Sequence, residues 1–85
     1  MSTDARLKRL LYRARHRGMQ ETDLLLGLFA ERRLGEMSAA QLDRFEALLD
    51  MPDNDLFDWI TAKRAVPVAL DHDIMAMLQA FARGE

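Results

Sequence analysis

The chain has eighty-five residues, a net charge of −2 and no cysteine, which bounds it to one small domain spanning residues 1–85. A chain this short buries only somewhat more than about 60% of its unfolded surface, so a deep cofactor cleft of its own is hard to build. Disulfide staples and thiolate metal sites are excluded. No apolar run is long enough to cross a bilayer, so no membrane partner is expected.

The first helix is predicted from about Asp4 to Arg17. Leu7, Leu10, Leu11 and Ala14 fall at i, i+3, i+4 and i+7, the stripe of a core-facing helix. Arginines near its end complement the helix dipole. Gly18 is expected to stop it in a left-handed conformation, with Met19 folded back over Ala14. The second helix is predicted from about Gln20 to Leu34, with Leu24, Leu25, Leu28 and Phe29 facing inward. Glu21 and Asp23 suit its positive end, and Gly35 is the expected stop. Gly27 either permits a close helix approach or is a tolerated cost of up to about 1 kcal/mol.

Ser38 and Gln41 have the capping-box spacing and open a third helix whose Leu42, Phe45, Leu48 and Leu49 face the core. A fourth is predicted from about Asp53 to Arg64, with Leu56, Phe57, Trp59 and Ile60 as its apolar content. Val66-Pro67-Val68 reads as an extended link. The fifth runs from about Asp71, read as its N-cap, to Arg83, with Ile74, Met77, Leu78 and Phe81 inward and Gly84 as the stop. The fold class is therefore all-α, a single bundle of about five short helices.

Charge is unevenly distributed. Residues 1–18 hold six basic side chains and one acid, for +5, whereas the remainder holds six basic and thirteen acidic residues, for −7. This asymmetry fits either a charged partner surface or a solvated helix face. A basic-helix nucleic-acid-binding or antitoxin-like regulatory adaptor is one function class it allows. Against it, the rest of the chain is acidic and no aromatic stacking set accompanies the arginines. Metal chemistry has little support. His16 and His72 lie in different helices, and Asp71-His72-Asp73 point in successive directions, which suits capping better than chelation. Asp50, Asp53, Asp55 and Asp58 lack the glycine and distal glutamate of a calcium loop. Among six methionines, Met77 reads as core, and Trp59 reads as a core anchor.

Arg17-Gly18-Met19-Gln20-Glu21 is by itself only a helix stop followed by a helix start. About thirty residues on stands Asp53-Asn54-Asp55-Leu56, shortly followed by Trp59. Together these stretches resemble the small assembly factors that promote covalent FAD attachment to the flavoprotein subunit of succinate dehydrogenase, with Arg-Gly-x-x-Glu as signature and Asp-x-Asp-Leu followed by Trp as second hallmark. The resemblance spans roughly residues 5 to 81. One departure is Thr22, where many relatives have Leu after the motif glutamate.

The resemblance implies an assembly chaperone with no turnover of its own. Its partner would be that flavoprotein subunit, and on the same grounds the one of fumarate reductase. FAD would belong to the partner and not be stably bound here. Arg17, Gly18, Met19, Glu21 and Asp23, with Arg9 and Arg13 of the first helix, would form the partner-binding face. Flavinylation joins a flavin methyl carbon to a histidine of the subunit in a largely self-catalysed reaction. A helper that aligns the reacting groups can lower such a barrier by several kcal/mol, up to about 10. The arginine-rich start is faintly like a transit peptide, but cleavage there would remove half the motif match. The expectation is thus a bacterial-type cytoplasmic protein, monomeric when free.

Overall fold

The computed structural model describes residues 3–85 and places five α-helices and no strand among them. They are α1 (Thr3–Arg15), α2 (Gln20–Arg33), α3 (Ala39–Leu49), α4 (Asp53–Ile60) and α5 (Asp73–Ala82). Two 3₁₀ turns, Leu34–Glu36 and Val68–Leu70, join α2 to α3 and lead into α5. The all-α architecture of five short helices is the one the apolar spacing predicts.

One core collects the stripes of all five helices. Leu10 and Ala14 of α1 are buried against Leu26, Phe29 and Ala30 of α2, and Phe45 and Leu48 of α3 join them. Phe29 is its aromatic centre, with ring centroids 5.8 Å from Phe45 and 5.6 Å from Phe81 in an edge-on contact. Leu56, Trp59 and Ile60 close the core from α4, and Ile74, Met75 and Leu78 from α5. Trp59 is the expected anchor, whereas Met75 is wholly buried and Met77 only half so. Gly27 is buried where α1 crosses α2. A Cβ there would lie 3.0 Å from Arg15 Cγ, which selects close approach of two helices as the role of this glycine.

The inward stripe of α2 differs from the predicted one. Leu24 and Leu28 face solvent, 63% and 38% exposed, while Thr22 and Leu26 are buried. The run Leu24-Leu25-Leu26 with Leu28-Phe29 is apolar on too many sides to fix its own phase, and packing against α1 and α5 selects it. Thr22 is fully buried and its Oγ1 finds no hydrogen-bond partner among the described residues. An unmade buried hydroxyl bond costs about 1–3 kcal/mol. Thr22→Val, which keeps the shape and removes the polar atom, is therefore expected to stabilise the domain. A gain of about 1 kcal/mol would appear as a rise in Tm of roughly 4–8 °C in a thermal melt. An unchanged or lowered Tm would show that the hydroxyl is satisfied.

Helix ends follow local chemistry. Ser38 and Gln41 form the predicted capping box at the start of α3. Helix α4 stops at Ile60, four residues before the expected end. Ala62 takes a left-handed conformation with φ 63°, Ala62 N–H donates to the Trp59 carbonyl, and Lys63 N–H donates to the Asp58 carbonyl at 2.8 Å. This is a Schellman stop with alanine in the position glycine usually holds, invisible to a search for glycine. Gly84, with φ 85°, ends α5 in the same way, as predicted. The N-cap of α5 is His72, not Asp71: its Nδ1 accepts from Met75 N–H at 3.2 Å. Asp73 instead ties α5 to α3, accepting from Gln41 and Arg44. The Gln41 amide is the main cause that holds the Asp73 carboxyl below its ordinary range. Its contribution to stability is present above the ordinary carboxylate pKa and is lost as pH falls through the depressed one.

The charge asymmetry is partly resolved inside the chain. Arg6 reaches Asp43 and Glu46, and Arg13 reaches Glu46 and Asp50, so the basic face of α1 lies along acids of α3. Arg15 pairs with Glu31 at 2.8 Å. Lys8 and Arg9 make no ion pair among the described residues.

Candidate functional site

The turn between α1 and α2 is built around one buried guanidinium. Arg17 Nε donates to Asp53 Oδ1 at 2.6 Å, Nη2 donates to the Met51 carbonyl at 2.6 Å, and Nη1 donates to the Leu49 carbonyl. Its side chain is 9% exposed and that of Asp53 16%. Asp53 begins α4, where the helix dipole favours an acid. Leu49 is the last residue of α3, where helix carbonyls lack intrahelical partners, and Met51 lies just beyond it in the link to α4. One arginine thus caps α3, pairs with the first residue of α4 and fixes the α1–α2 turn.

Two further bonds tighten the turn. Gly18 N–H donates to Asp53 Oδ2, and Arg17 N–H donates to Asp23 Oδ1. The second bond draws the Arg17 backbone out of helical register, so α1 ends at Arg15 and not at the predicted Arg17. Gly18 is not left-handed, since positive φ occurs among the described residues only at Ala62 and Gly84. Its lack of a side chain serves a different need. A Cβ there would stand 2.9 Å from Asp53 Oδ2, closer than real Cβ atoms come.

The outer surface of this turn is a shallow concavity of about 340 Å³, lined by Tyr12, Arg13, His16, Arg17, Gly18, Pro52 and Asp53. Tyr12 and His16 stack with ring centroids 3.9 Å apart. His16 Nδ1 lies 2.8 Å from the Tyr12 carbonyl, so it carries the hydrogen and donates, leaving Nε2 as the free ring nitrogen. Tyr12 is 62% exposed.

The candidate residues of the sequence therefore divide. Gly18 and Glu21 are exposed at the turn and Met19 is half-buried beside it. Glu21 makes no ion pair among the described residues. Arg9 is exposed, and Arg13 is half-buried and paired to α3. Asp23 faces back into the turn. Arg17, expected on the partner-binding face, turns its three nitrogens inward. Sequence reasoning missed Asp53 as the partner of Arg17, although both stand in the quoted motifs. Tyr12 and His16 carried no signal beyond their spacing of four.

The geometry defines a class: a small helical domain whose first interhelical turn is locked by a distant acid and presented at the surface. The chain belongs to the family described as flavinator of succinate dehydrogenase, whose model matches residues 8–82. It is similar to proteins named succinate dehydrogenase assembly factor 2, mitochondrial. Identity is 44% with the one from Mycosarcoma maydis, covering 81% of this chain and 29% of that protein. It is 40% with the one from Dictyostelium discoideum, covering 85% and 51%, and 39% with the one from Danio rerio, covering 94% and 52%. The chain thus spans between about a third and half the length of these relatives. Their names overturn the expectation of a bacterial cytoplasmic protein, because these relatives are mitochondrial and eukaryotic. The physical reason is that a cysteine-free composition fits any reducing compartment and cannot tell one from another.

Proposed function

We propose that the chain is a non-enzymatic assembly factor that docks on the flavoprotein subunit of succinate dehydrogenase and promotes covalent attachment of FAD. Family membership supports the general role. The observation that carries the docking face is the Arg17–Asp53 clamp, which commits a buried charge pair to holding an exposed turn in one shape. Arg17 acts as a positioning residue, while Gly18, Glu21 and the Tyr12–His16 stack meet the partner.

Catalysis of carbon–nitrogen bond formation stays with the subunit and its flavin. The contribution of this chain is to hold the subunit in the conformation where its histidine and the flavin methyl group are aligned. The polar groups of the concavity favour this division. Arg17 is bonded to Asp53 and Arg13 to Asp50, so both arginines that line the concavity are already paired within the chain. The flavoprotein of fumarate reductase is a second partner on the same chemistry. The nucleic-acid reading is the weaker of the two, because four of the six basic side chains of residues 1–18 are paired with acids of this chain.

The test incubates purified apo-subunit with FAD, with and without this chain, and reads covalent flavin by in-gel fluorescence. Faster or more complete flavinylation is expected with the chain present. Identical time courses would overturn the proposal.

A further inference from the structure

On the outer face of α2, Glu21, Leu24, Leu28 and Arg32 follow one another at spacings of three, four and four, so they form a single stripe along the helix. Its centre is apolar and open: Leu24 and Leu28 are among the four large hydrophobic side chains exposed on the described surface. Its ends are charged, with Glu21 at one and Arg32 at the other. Neither Glu21 nor Arg32 makes an ion pair among the described residues, although Arg32 rests over the Phe81 ring at 5.7 Å. The stripe is roughly 16 Å long at 1.5 Å per residue.

From this we infer that the docking face extends from the motif turn along α2, and that its occupant is a segment of the flavoprotein subunit carrying a basic side chain for Glu21, an apolar ridge for Leu24 and Leu28, and an acid for Arg32. This inference rests on the function proposed above. Charge complementarity sets the order of the partner's groups, and the two leucines supply the desolvated centre that interfaces need. Glu21 belongs to the motif turn itself, so the stripe is continuous with Gly18 and its surroundings. A second copy of this chain could meet the same pattern, since two antiparallel α2 helices would set Glu21 against Arg32. Such a contact would bury only two leucines a side, far below the roughly 800 Å² per partner of a stable interface. A larger subunit can cover the stripe and the turn together.

The experiment measures binding of the purified apo-subunit by wild-type chain, by the Leu24→Ser/Leu28→Ser variant and by Glu21→Gln, with thermal melts and sedimentation of each. Leu24 is 63% and Leu28 38% exposed, so the double variant should stay folded with a modest fall in Tm from the packed part of Leu28. It is expected to bind more weakly by about tenfold for each leucine removed. Glu21→Gln is expected to weaken binding and to flatten its salt dependence. A folded double variant that binds the subunit as wild type does would overturn the inference and leave the proposed function standing. Wild-type chain that fails to bind the subunit would overturn both. If the leucines instead change only a concentration-dependent self-association, the stripe belongs to a second copy and the inference is wrong.

Discussion

Arg17→Ala is expected to destabilise the domain by about 3–5 kcal/mol, the usual cost of removing one partner of a buried ion pair. The loss has three parts. The Asp53 carboxylate, 16% exposed, keeps only the Gly18 N–H among the described residues. The Leu49 carbonyl at the end of α3 and the Met51 carbonyl in the link to α4 lose their donor. The turn between α1 and α2 loses its anchor to α4. A domain of this size has roughly 4–13 kcal/mol of stability in total at 0.05–0.15 kcal/mol per residue, so the variant sits near its folding threshold. Arg17→Lys should recover little, because an ammonium is a point charge and cannot hold one carboxylate and two carbonyls in a planar fork. Urea denaturation of the single variants and of Arg17→Ala/Asp53→Ala measures the coupling. The double variant should lose less than the sum of the singles, since it leaves no buried carboxylate uncompensated. A loss below about 1 kcal/mol for Arg17→Ala would mean that the pair behaves as a surface bridge.

This clamp marks the boundary of what the sequence could reveal. Helix number, the capping box at Ser38 and the stop at Gly84 are local patterns, and local patterns are written in neighbouring residues. The Arg17–Asp53 pair joins residues 36 positions apart, and nothing in either neighbourhood names the other. The Arg-Gly-x-x-Glu and Asp-x-Asp-Leu stretches look like two motifs because the chain separates them. In space Asp53 takes Arg17 with one oxygen and the Gly18 backbone with the other, so they are one structure. The phase of α2 was illegible for another reason. Five apolar residues in six positions satisfy several helical faces equally, and packing against the other helices, with Phe29 set against Phe45 and Phe81, decides among them. The Ala62 stop of α4 was hidden because alanine is a poor residue for it, and the hydrogen bonds of the following chain outweigh the preference.

Gly18→Arg is expected to abolish capture of the flavoprotein subunit and support of flavinylation, more completely than Arg13→Ala. The reason is steric at two distances. Close in, any Cβ at Gly18 meets Asp53 Oδ2 at 2.9 Å. That carboxylate cannot simply swing aside, because its other oxygen holds Arg17 Nε at 2.6 Å. Gly18→Ala already carries this cost, of about 1–3 kcal/mol by analogy with overpacked sites. No left-handed backbone adds to it, since Gly18 has ordinary φ. Farther out, the long charged side chain of Gly18→Arg would project across the concavity between Tyr12, His16 and Pro52, where the partner must lie. Arg13→Ala removes only the part-exposed pairs to Asp50 and Glu46, worth about 0–1 kcal/mol, and should mainly change encounter rate and salt dependence. Thermal melts of Gly18→Ala and Gly18→Arg, paired with subunit pull-down, separate the two distances. Equal melting temperatures with capture lost only in Gly18→Arg would locate the effect at the partner surface. Capture lost in both, with both melting early, would locate it in the Asp53 clamp. If Gly18→Arg folds and captures the subunit with normal affinity, the turn is not the docking face, and the clamp beneath it serves the stability of this domain alone.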